Sequence, residues 1–408
     1  MKTKSNFFCL VGVSLLAIVF VMVSCSKSDS EIGEFEGSSE CYEYSGKNGD
    51  SGNGDGKKPD NTQAGVVTAG EWCDLTHWEF WSKLMQGGAY SEMSDYWEFF
   101  TNNRVAVKVT DEGGNALAGV TVKLLVEGNE ASTIWETVTD NHGQAECWLG
   151  LFQKTKAELL RVSLNGEMME RQPEVCSWDS LRQTMPVNKY VLKKPKTPNN
   201  QTDIAFIVDA TGSMSDEIFF LKQDLVDIIN KVQSVRSGMK MRTAALFYRD
   251  EGDEYVTRHQ NFTDDVNKTA AFVTEQEANG GGDYPEAVHT ALEKSLQNLS
   301  WDGNARTRIA FLILDAPAHH EVAIIHSLQE SIEKFAKQGI KVIPVAASGV
   351  DKNTEFMLRF FANATGGTYV FLTDHSGVGN SHIEASVGEY EVEQLNNLLI
   401  RLIKYYTE

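Results

Sequence analysis

The stretch that decides the fold of this chain is Ile204-Ala-Phe-Ile-Val-Asp209-Ala-Thr211-Gly-Ser213-Met-Ser-Asp216-Glu217. Its first five residues, 204–208, are an uninterrupted apolar run, which is typical of a strand buried on both faces of a parallel sheet. The strand ends on Asp209, and a turn of small residues leads into a helical pattern that continues to about Val235. This order of strand, turn and helix predicts an α/β domain.

Oxygen-bearing side chains stand at short spacing after that strand, namely Asp209, Thr211 and Ser213. Ligands of parallel α/β sheets bind beyond the carboxyl ends of the strands, so these side chains are expected to converge there. Carboxylate and hydroxyl oxygens suit Mg²⁺ or Ca²⁺ better than zinc or copper. The alternative is that Thr211 or Ser213 only caps the following helix. A second apolar strand, 308–314, also ends on an acid, Asp315, and this coincidence favours a metal site.

Asp209-x-Thr211-x-Ser213 resembles the metal-ion-dependent adhesion site of von Willebrand factor type A domains. The resemblance covers about half of the chain, from roughly Thr202 to the C-terminus. It implies Mg²⁺, or Ca²⁺ or Mn²⁺, as the bound ion and a later strand that supplies a further aspartate, here Asp315. It also implies a protein ligand rather than a substrate. No Gly-x-Ser-x-Gly elbow surrounds Ser213, so the sequence indicates no hydrolase and no other enzyme.

A glycine-rich turn, Gly280-Gly-Gly-Asp283-Tyr-Pro285-Glu-Ala, separates the two strands. The family usually places a threonine ligand in this loop, whereas this chain resembles a subset with Gly-Gly-Asp-x-Pro-Glu. Asp283 is therefore predicted as a fifth metal ligand, which would favour tight metal binding and a neutral or basic partner contact. The alternative is that Asp283 orients a coordinated water or caps the helix that begins near Pro285.

Further acids and histidines near these strand ends admit two interpretations. Asp216 and Glu217 resemble a second calcium site in integrin β subunits, but acids in the first turn of a helix are also favoured by its dipole. His319 and His320 are interpreted as rim residues of the same edge. The acids in 250–254 are interpreted as a solvated, anionic loop.

Strand and helix patterns continue to alternate from residue 202 to 408, which predicts a doubly wound, mainly parallel sheet. The polar, proline-containing segment 195–201 is the predicted linker before this domain. A fragment from about Asn199 to Glu408 is therefore expected to fold alone.

Residues 101–194 show a period of two, with turns at 111–115 and 140–143, which predicts an antiparallel β-sandwich. The motif is similar to carboxypeptidase-regulatory-like and transthyretin-like modules. The preceding segment, 67–100, has aromatic and apolar residues from Trp72 to Met85 at helical spacing and is predicted as an amphipathic helix. Its aromatic residues could stack on sugars, but docking against the next domain is the preferred interpretation.

The first 25 residues combine two lysines with a long apolar run that ends in Met22-Val-Ser-Cys25. This pattern predicts a bacterial lipoprotein signal with lipidation of Cys25, and hence an envelope protein anchored at the outer membrane or cell surface. Residues 26–66, rich in Gly, Ser and Asp, are predicted to be a flexible linker. Outside the signal, Cys41, Cys73, Cys147 and Cys176 allow three disulfide pairings, among which the sequence does not choose.

The formal net charge of −20 argues against nucleic acid as a partner, because its phosphates would be repelled. The leading hypothesis is an envelope-anchored binding module that captures a protein through a divalent cation. The alternative is a structural or assembly subunit of a surface complex or fimbria, in which the metal only stabilises the fold. The sequence does not indicate the oligomeric state.

Overall fold

The structure is a computed structural model that describes residues 64–126, 132–155, 159–177, 185–193, 197–235, 237–379 and 381–408. The predicted signal with Cys25, Cys41 and nearly all of the predicted 26–66 linker lie outside these residues. The helices are α1 Trp78–Gln86, α2 Gly88–Trp97, α3 Ile218–Val235, α4 Val266–Thr274, α5 Val288–Asn298, α6 Val322–Lys337, α7 Lys352–Thr365 and α8 Leu395–Thr407. The strands are β1 Thr68–Trp72, β2 Asn103–Thr110, β3 Thr121–Val126, β4 Ser132–Val138, β5 Gln144–Trp148, β6 Leu160–Leu164, β7 Glu167–Met168, β8 Cys176–Ser177, β9 Val187–Val191, β10 Asn199–Asp209, β11 Lys240–Tyr248, β12 Thr257–Thr263, β13 Ala305–Leu314, β14 Ile340–Ala346, β15 Tyr369–Leu372 and β16 Glu393–Gln394.

An eight-stranded sheet with the order β12-β11-β10-β13-β14-β15-β1-β16 forms the centre of the α/β part. The five strands from β11 to β15 in this order pair in parallel, which confirms a mixed α/β fold with a mainly parallel sheet. Helices α3 and α8 pack together on one face, while α5, α6 and α7 cover the other. Residues 202–209 of β10 are consequently all buried, which for 204–208 is what the apolar run predicts.

Edge strand β12 pairs antiparallel with β11 and has no counterpart among the predicted strands. Its sequence, Thr-Arg-His-Gln-Asn-Phe-Thr, carries a single large apolar residue. A solvent-exposed edge strand needs little apolar surface, so hydrophobic periodicity gives no signal for it.

Strand β1 joins the same sheet from the opposite end of the sequence. It pairs antiparallel with β15, with Ala69 opposite Leu372 and Trp72 opposite Tyr369. The prediction of one helix from Trp72 is therefore wrong at its start, because Trp72 ends a strand and α1 begins at Trp78. The spacing of the aromatic residues fits a helix, but it carries no information about the backbone partner that β15 offers. The predicted domain, which begins at residue 202, therefore lacks β1, although β1 belongs to the same sheet.

Helices α1 and α2 pack against α7. The Trp81 ring stacks on Phe356 at 6.2 Å, and the Phe99 ring stacks on Phe360 at 4.1 Å. A buried ion pair of 2.5 Å joins Arg359 of α7 to Asp74, which precedes α1. The aromatic residues of this segment therefore serve docking, the preferred interpretation of the sequence.

Two four-stranded sheets lie between β1 and β10 in the chain, with the orders β4-β3-β6-β7 and β5-β2-β8, where β9 also pairs with β2. All their pairings are antiparallel except β2 with β9. They contact the α/β part near the amino ends of β13 and β14. Asn141 Nδ2 donates to Thr307 Oγ1 at 3.1 Å, and Lys341 pairs with Asp140 at 3.2 Å. The carboxyl ends of the parallel strands lie at the opposite edge.

Candidate metal centre

The turn after β10 holds the Asp209 carboxylate in a fixed position. The backbone N–H and the hydroxyl of Thr211 both donate to Asp209 Oδ1, at 2.8 and 2.7 Å. Thr211 precedes a 3₁₀ turn, Gly212–Asp216, yet its side chain makes no capping hydrogen bond. The structure thus favours a bond to Asp209 over the capping interpretation. The second oxygen, Asp209 Oδ2, is buried and has no hydrogen-bond partner.

Ser213 connects this turn to the neighbouring strand. Its hydroxyl lies 3.1 Å from Thr211 Oγ1, and hydrogen bonding by Ser213 acts to lower the pKa of Asp315. Asp315 directly follows β13, which pairs in parallel with β10 and places Val208 opposite Ile313. Asp315 is 4% exposed, and its Oδ1 is buried without a hydrogen-bond partner. Four of the predicted ligands, Asp209, Thr211, Ser213 and Asp315, are therefore brought together.

Burial and the charges of nearby carboxyls raise the pKa values of both aspartates in this group. Burial raises the pKa of Asp209 to about 6, against the hydrogen bonds from Thr211, which lower it. Burial and the charge of Asp209 raise the pKa of Asp315 to about 7. The neighbouring charges that act on these two groups are other carboxyls. A divalent cation would neutralise this charge, and the unpartnered oxygens are suitable ligands for Mg²⁺ or Ca²⁺.

A buried glutamate that the sequence analysis did not consider as a ligand, Glu286, belongs to the same group. It is 2% exposed, and its Oε2 is buried without a hydrogen-bond partner. Burial and the charges of Asp209, Asp250 and Asp315 raise the pKa of Glu286 to about 9. The available signal was its place in the Gly-Gly-Asp-x-Pro-Glu motif, but an acid beside a helix start is common for electrostatic reasons alone.

Asp283, the remaining predicted ligand, lies in a different group. Its carboxylate, that of Asp250 and a ring nitrogen of His319 all lie within 4.8 Å of one another. Within this group His319 Nε2 is 2.8 Å from Asp250 Oδ1. Asp283 itself is exposed. The other predicted rim residue, His320, stacks on Tyr96 at 3.5 Å.

Glu217, predicted with Asp216 as a second calcium site, has partners within the protein. Its carboxylate accepts from the backbone N–H of Ser348 at 3.1 and 3.2 Å and lies 3.0 Å from His382 Nε2. His382 Nδ1 in turn lies 2.7 Å from Asp374. Burial lowers the pKa of His382, but the hydrogen bonds to Glu217 and Asp374 outweigh it and raise that pKa. The second calcium site stays a prediction.

Comparison with known proteins supports the α/β assignment. Residues 203–380 match the family model described as von Willebrand factor A domain. A von Willebrand factor A domain is therefore supported for these residues. Such a domain suggests a protein-interaction or adhesion module. The match begins at the start of the long buried part of β10 and includes Asp209, Asp283 and Asp315.

Two curated proteins are similar to parts of the chain. Putative ariadne-like RING finger protein R811 of Acanthamoeba polyphaga mimivirus is 31% identical over 125 residues, which are 29% of this chain and 11% of that protein. Alpha-protein kinase vwkA of Dictyostelium discoideum is 25% identical over 202 residues, 49% of this chain and 32% of that protein. The chain thus spans about a third or less of the length of either relative.

One solved structure, the conserved hypothetical protein BatB from Bacteroides thetaiotaomicron, aligns with 50% of this chain and 98% of its own. The TM-score is 0.35 and the sequence identity is 12%.

Proposed function

We propose that the von Willebrand factor A domain binds a divalent cation, Mg²⁺ in the first instance, and captures a protein partner at this edge of the sheet. The observation that carries the proposal is the pair of buried, unpartnered oxygens, Asp209 Oδ2 and Asp315 Oδ1, beside the hydroxyls of Thr211 and Ser213. A bound cation would neutralise the carboxylates and provide coordination positions for oxygen ligands. The carboxyl ends of the strands, where α/β domains bind ligands, carry this group.

The proposed location is the bacterial envelope, with the chain anchored through lipid on Cys25. None of the helices in the described residues has the length and apolar character needed to cross a bilayer. The proposed role is binding rather than catalysis, since hard oxygen ligands with no activated nucleophile beside them suit capture of a partner. The chain covers 32% of the kinase named among its relatives, so no activity is carried over from that protein to this proposal.

The alternative function is a structural or assembly subunit in which the cation only stabilises the fold. It is favoured by the burial of Asp209 and Asp315, which are 0% and 4% exposed. Removal of the cation would then leave unpaired charges inside the domain, at a large cost in free energy.

Calorimetry and partner capture on the same protein separate the two functions. We expect Mg²⁺ to bind the full chain in detergent, and Asp209→Asn to weaken that binding strongly, while Glu254→Gln, at an acid with a 73% exposed side chain, leaves it unchanged. Capture of a partner from native envelopes is expected with Mg²⁺ and not with EDTA. Loss of capture with little change in melting temperature supports binding, whereas a collapse of melting without Mg²⁺-dependent capture supports the structural role. Full Mg²⁺ affinity in Asp209→Asn would refute the metal site.

A further inference from the structure

Two aspartates and a histidine form a second group of metal-ligating side chains at the carboxyl edge of the sheet. Asp250 follows β11, Asp283 lies in the glycine-rich loop, 280–287, before α5, and His319 follows β13. One carboxylate oxygen of each aspartate and a ring nitrogen of His319 all lie within 4.8 Å of one another. Asp250 is buried, His319 is half-buried and Asp283 is exposed, so the group opens to solvent on the side of Asp283.

Hydrogen bonds hold the three loops of this group together. The Asp253 carboxylate accepts from the backbone N–H of Asp250 at 3.1 Å and from that of Gly281 at 2.9 Å, which ties the loop after β11 to the glycine-rich loop. The backbone N–H of Glu286 donates to Pro317 O at 2.9 Å, which ties the glycine-rich loop to the loop after β13. The three loops that carry the group are therefore fixed relative to one another.

Within the described residues, no lysine or arginine pairs with the two aspartates of this group. Asp250 pairs with His319, whose Nε2 lies 2.8 Å from Asp250 Oδ1, and Asp283 forms no ion pair in this part of the chain. The neighbouring Arg249 donates instead to backbone oxygens, with Ala210 O at 3.2 Å. The two carboxylates therefore carry negative charge that a bound cation can neutralise.

A buried carboxyl beside the group also lacks a partner. Glu286 is 2% exposed, and its Oε2 is buried without a hydrogen-bond partner among the described residues. Its backbone forms a bridge to Ala318, the residue before His319. Burial raises the pKa of Glu286 to about 9, and Asp250 is among the carboxylates whose charge contributes. An unpartnered buried carboxyl indicates an excess of negative charge at this place, which is the condition that attracts a cation.

We propose that Asp250, Asp283 and His319 bind a transition-metal dication, Zn²⁺ in the first instance, at a site separate from the proposed Mg²⁺ site. An imidazole nitrogen with two carboxylates is a ligand set that Zn²⁺ accepts, whereas the oxygen ligands around Asp209 suit Mg²⁺. Ligand atoms about 2.1 Å from one ion lie roughly 3.4 Å apart in a tetrahedron, so small side-chain rotations would close the group around it. Two carboxylates and a neutral imidazole leave Zn²⁺ without net charge and with a coordination position for water or for a side chain of a partner.

The test measures Zn²⁺ binding to the full chain in detergent by calorimetry, with saturating Mg²⁺ present to occupy the other site. Asp283→Asn and His319→Gln should each lower the Zn²⁺ affinity by about tenfold or more, since even residues that only support metal ligands contribute 10–100-fold. The matched controls are Glu254→Gln, at an exposed acid of the loop after β11, and His320→Gln, at the neighbouring histidine that stacks on Tyr96. Each control should change the affinity by less than about twofold, because exposed side chains outside the site interact weakly with it.

Cobalt reports the ligands directly. Co²⁺ bound in place of Zn²⁺ should give a visible absorption spectrum that changes in His319→Gln, because the imidazole nitrogen is lost, and that stays the same in Asp209→Asn. Melting temperature supplies a further readout. Zn²⁺ should raise it in the wild type and not in Asp283→Asn, whose exposed side chain should leave the metal-free melting temperature unchanged.

The two metal sites fail in different ways. Unchanged Zn²⁺ affinity in both Asp283→Asn and His319→Gln would overturn the Zn²⁺ site and leave the Mg²⁺ site standing, and so would losses of similar size in the control variants. Loss of Mg²⁺ affinity in Asp283→Asn with unchanged Zn²⁺ affinity in His319→Gln would also overturn it, because Asp283 would then serve the Mg²⁺ site and His319 would only pair with Asp250. Unchanged Mg²⁺ affinity in Asp209→Asn, together with the expected losses of Zn²⁺ affinity, would remove the Mg²⁺ site and support the Zn²⁺ site.

Discussion

The Thr211 hydroxyl donates to Asp209 Oδ1 and so fixes the orientation of that carboxylate. The other oxygen, Oδ2, has no hydrogen-bond partner and is free to bind the proposed cation. The raised pKa values of Asp209 and Asp315 make the stability of the domain depend on pH.

The first prediction concerns Asp315 in the metal-free protein. Its pKa is raised from 3.8 to about 7, so between these values the folded state holds a proton that the unfolded state has lost. The contribution of Asp315 to stability is therefore fully present at low pH, falls as the pH rises through this window, and levels off above pH 7. Melting curves in EDTA should show Asp315→Asn gaining stability relative to the wild type from about pH 4 to pH 7.

Saturating Mg²⁺ supplies the control, because bound cation stabilises the charged carboxylate. In Mg²⁺ the advantage of Asp315→Asn should disappear and become a deficit. A difference between the two proteins that is independent of pH in EDTA would contradict the raised pKa.

The second prediction concerns Gly281, which has a φ of +71°. A side chain is strained at this backbone angle, and a Cβ would lie 2.8 Å from Glu286 Oε1. Gly281→Ala should lower the free energy of unfolding by about 1–3 kcal/mol and weaken Zn²⁺ binding. Gly282→Ala is the matched control, since Gly282 lacks a positive φ and a Cβ there meets no atom within 4 Å. Equal effects of the two substitutions in thermal unfolding and calorimetry would contradict the strain and close contact expected at position 281.

Strand β1 changes the boundary of the α/β domain. It lies between β15 and β16, and α8 follows β16 directly, so β1 helps to position the last helix. Trp81 of α1 stacks on Phe356 of α7, and Phe99, just after α2, stacks on Phe360. Without residues 64–100 the β15 edge would be open and the α7 aromatic residues exposed, two conditions that favour aggregation.

The third prediction follows for fragments of the chain. Residues 199–408 alone should unfold at lower temperature than the full chain and should associate, contrary to the expectation from sequence. A matched chain that retains 64–100 and 199–408, with a flexible Gly/Ser linker replacing the sheets between them, should remain monomeric. Calorimetric melting with light scattering measures both effects. A cooperative, monomeric 199–408 fragment as stable as the matched chain would show that β1 is dispensable.

At the scale of the whole molecule, the two four-stranded sheets (the inserted sheets) and the candidate metal centre lie at opposite ends of the parallel strands. The sheets contact Thr307 and Lys341 near the amino ends, whereas Asp209 and Asp315 follow the carboxyl ends. In the described residues, these contacts of the inserted sheets lie at the end of the strands opposite to the carboxyl-end loops.

The fourth prediction concerns the attachment of the chain to a membrane. Cys25 is expected to be the first residue of the mature protein and to carry lipid, because a charged start and an apolar run precede it. Intact mass of the membrane-extracted protein should show removal of residues 1–24 and an added diacyl or triacyl group. Cys25→Ala should release the protein from the membrane fraction. Residues 1–24 still attached to the extracted protein would refute this.

The sequence by itself was sufficient to predict the two central strands of the parallel sheet and the acids that follow them. The run from Ile204 to Asp209, and its counterpart ending at Asp315, specify buried parallel strands with acids at one edge. These features are local: burial on both faces requires continuous apolar sequence, and the strand direction places the following residue at the carboxyl edge. The sequence also predicts that Thr211 and Ser213 lie beside Asp209, since they stand within four residues of it.

Only the tertiary structure showed which segments distant in sequence pair with or bury one another. Periodicity reports which side of a segment is buried, but not which strand supplies its backbone hydrogen bonds, so the pairing of β1 with β15 had no local signal. Which acid of the glycine-rich loop is buried depends on the loop conformation, in which Gly280 and Gly281 have positive φ. That conformation, with the bridge from Glu286 to Ala318, buries the glutamate and leaves the aspartate at the surface.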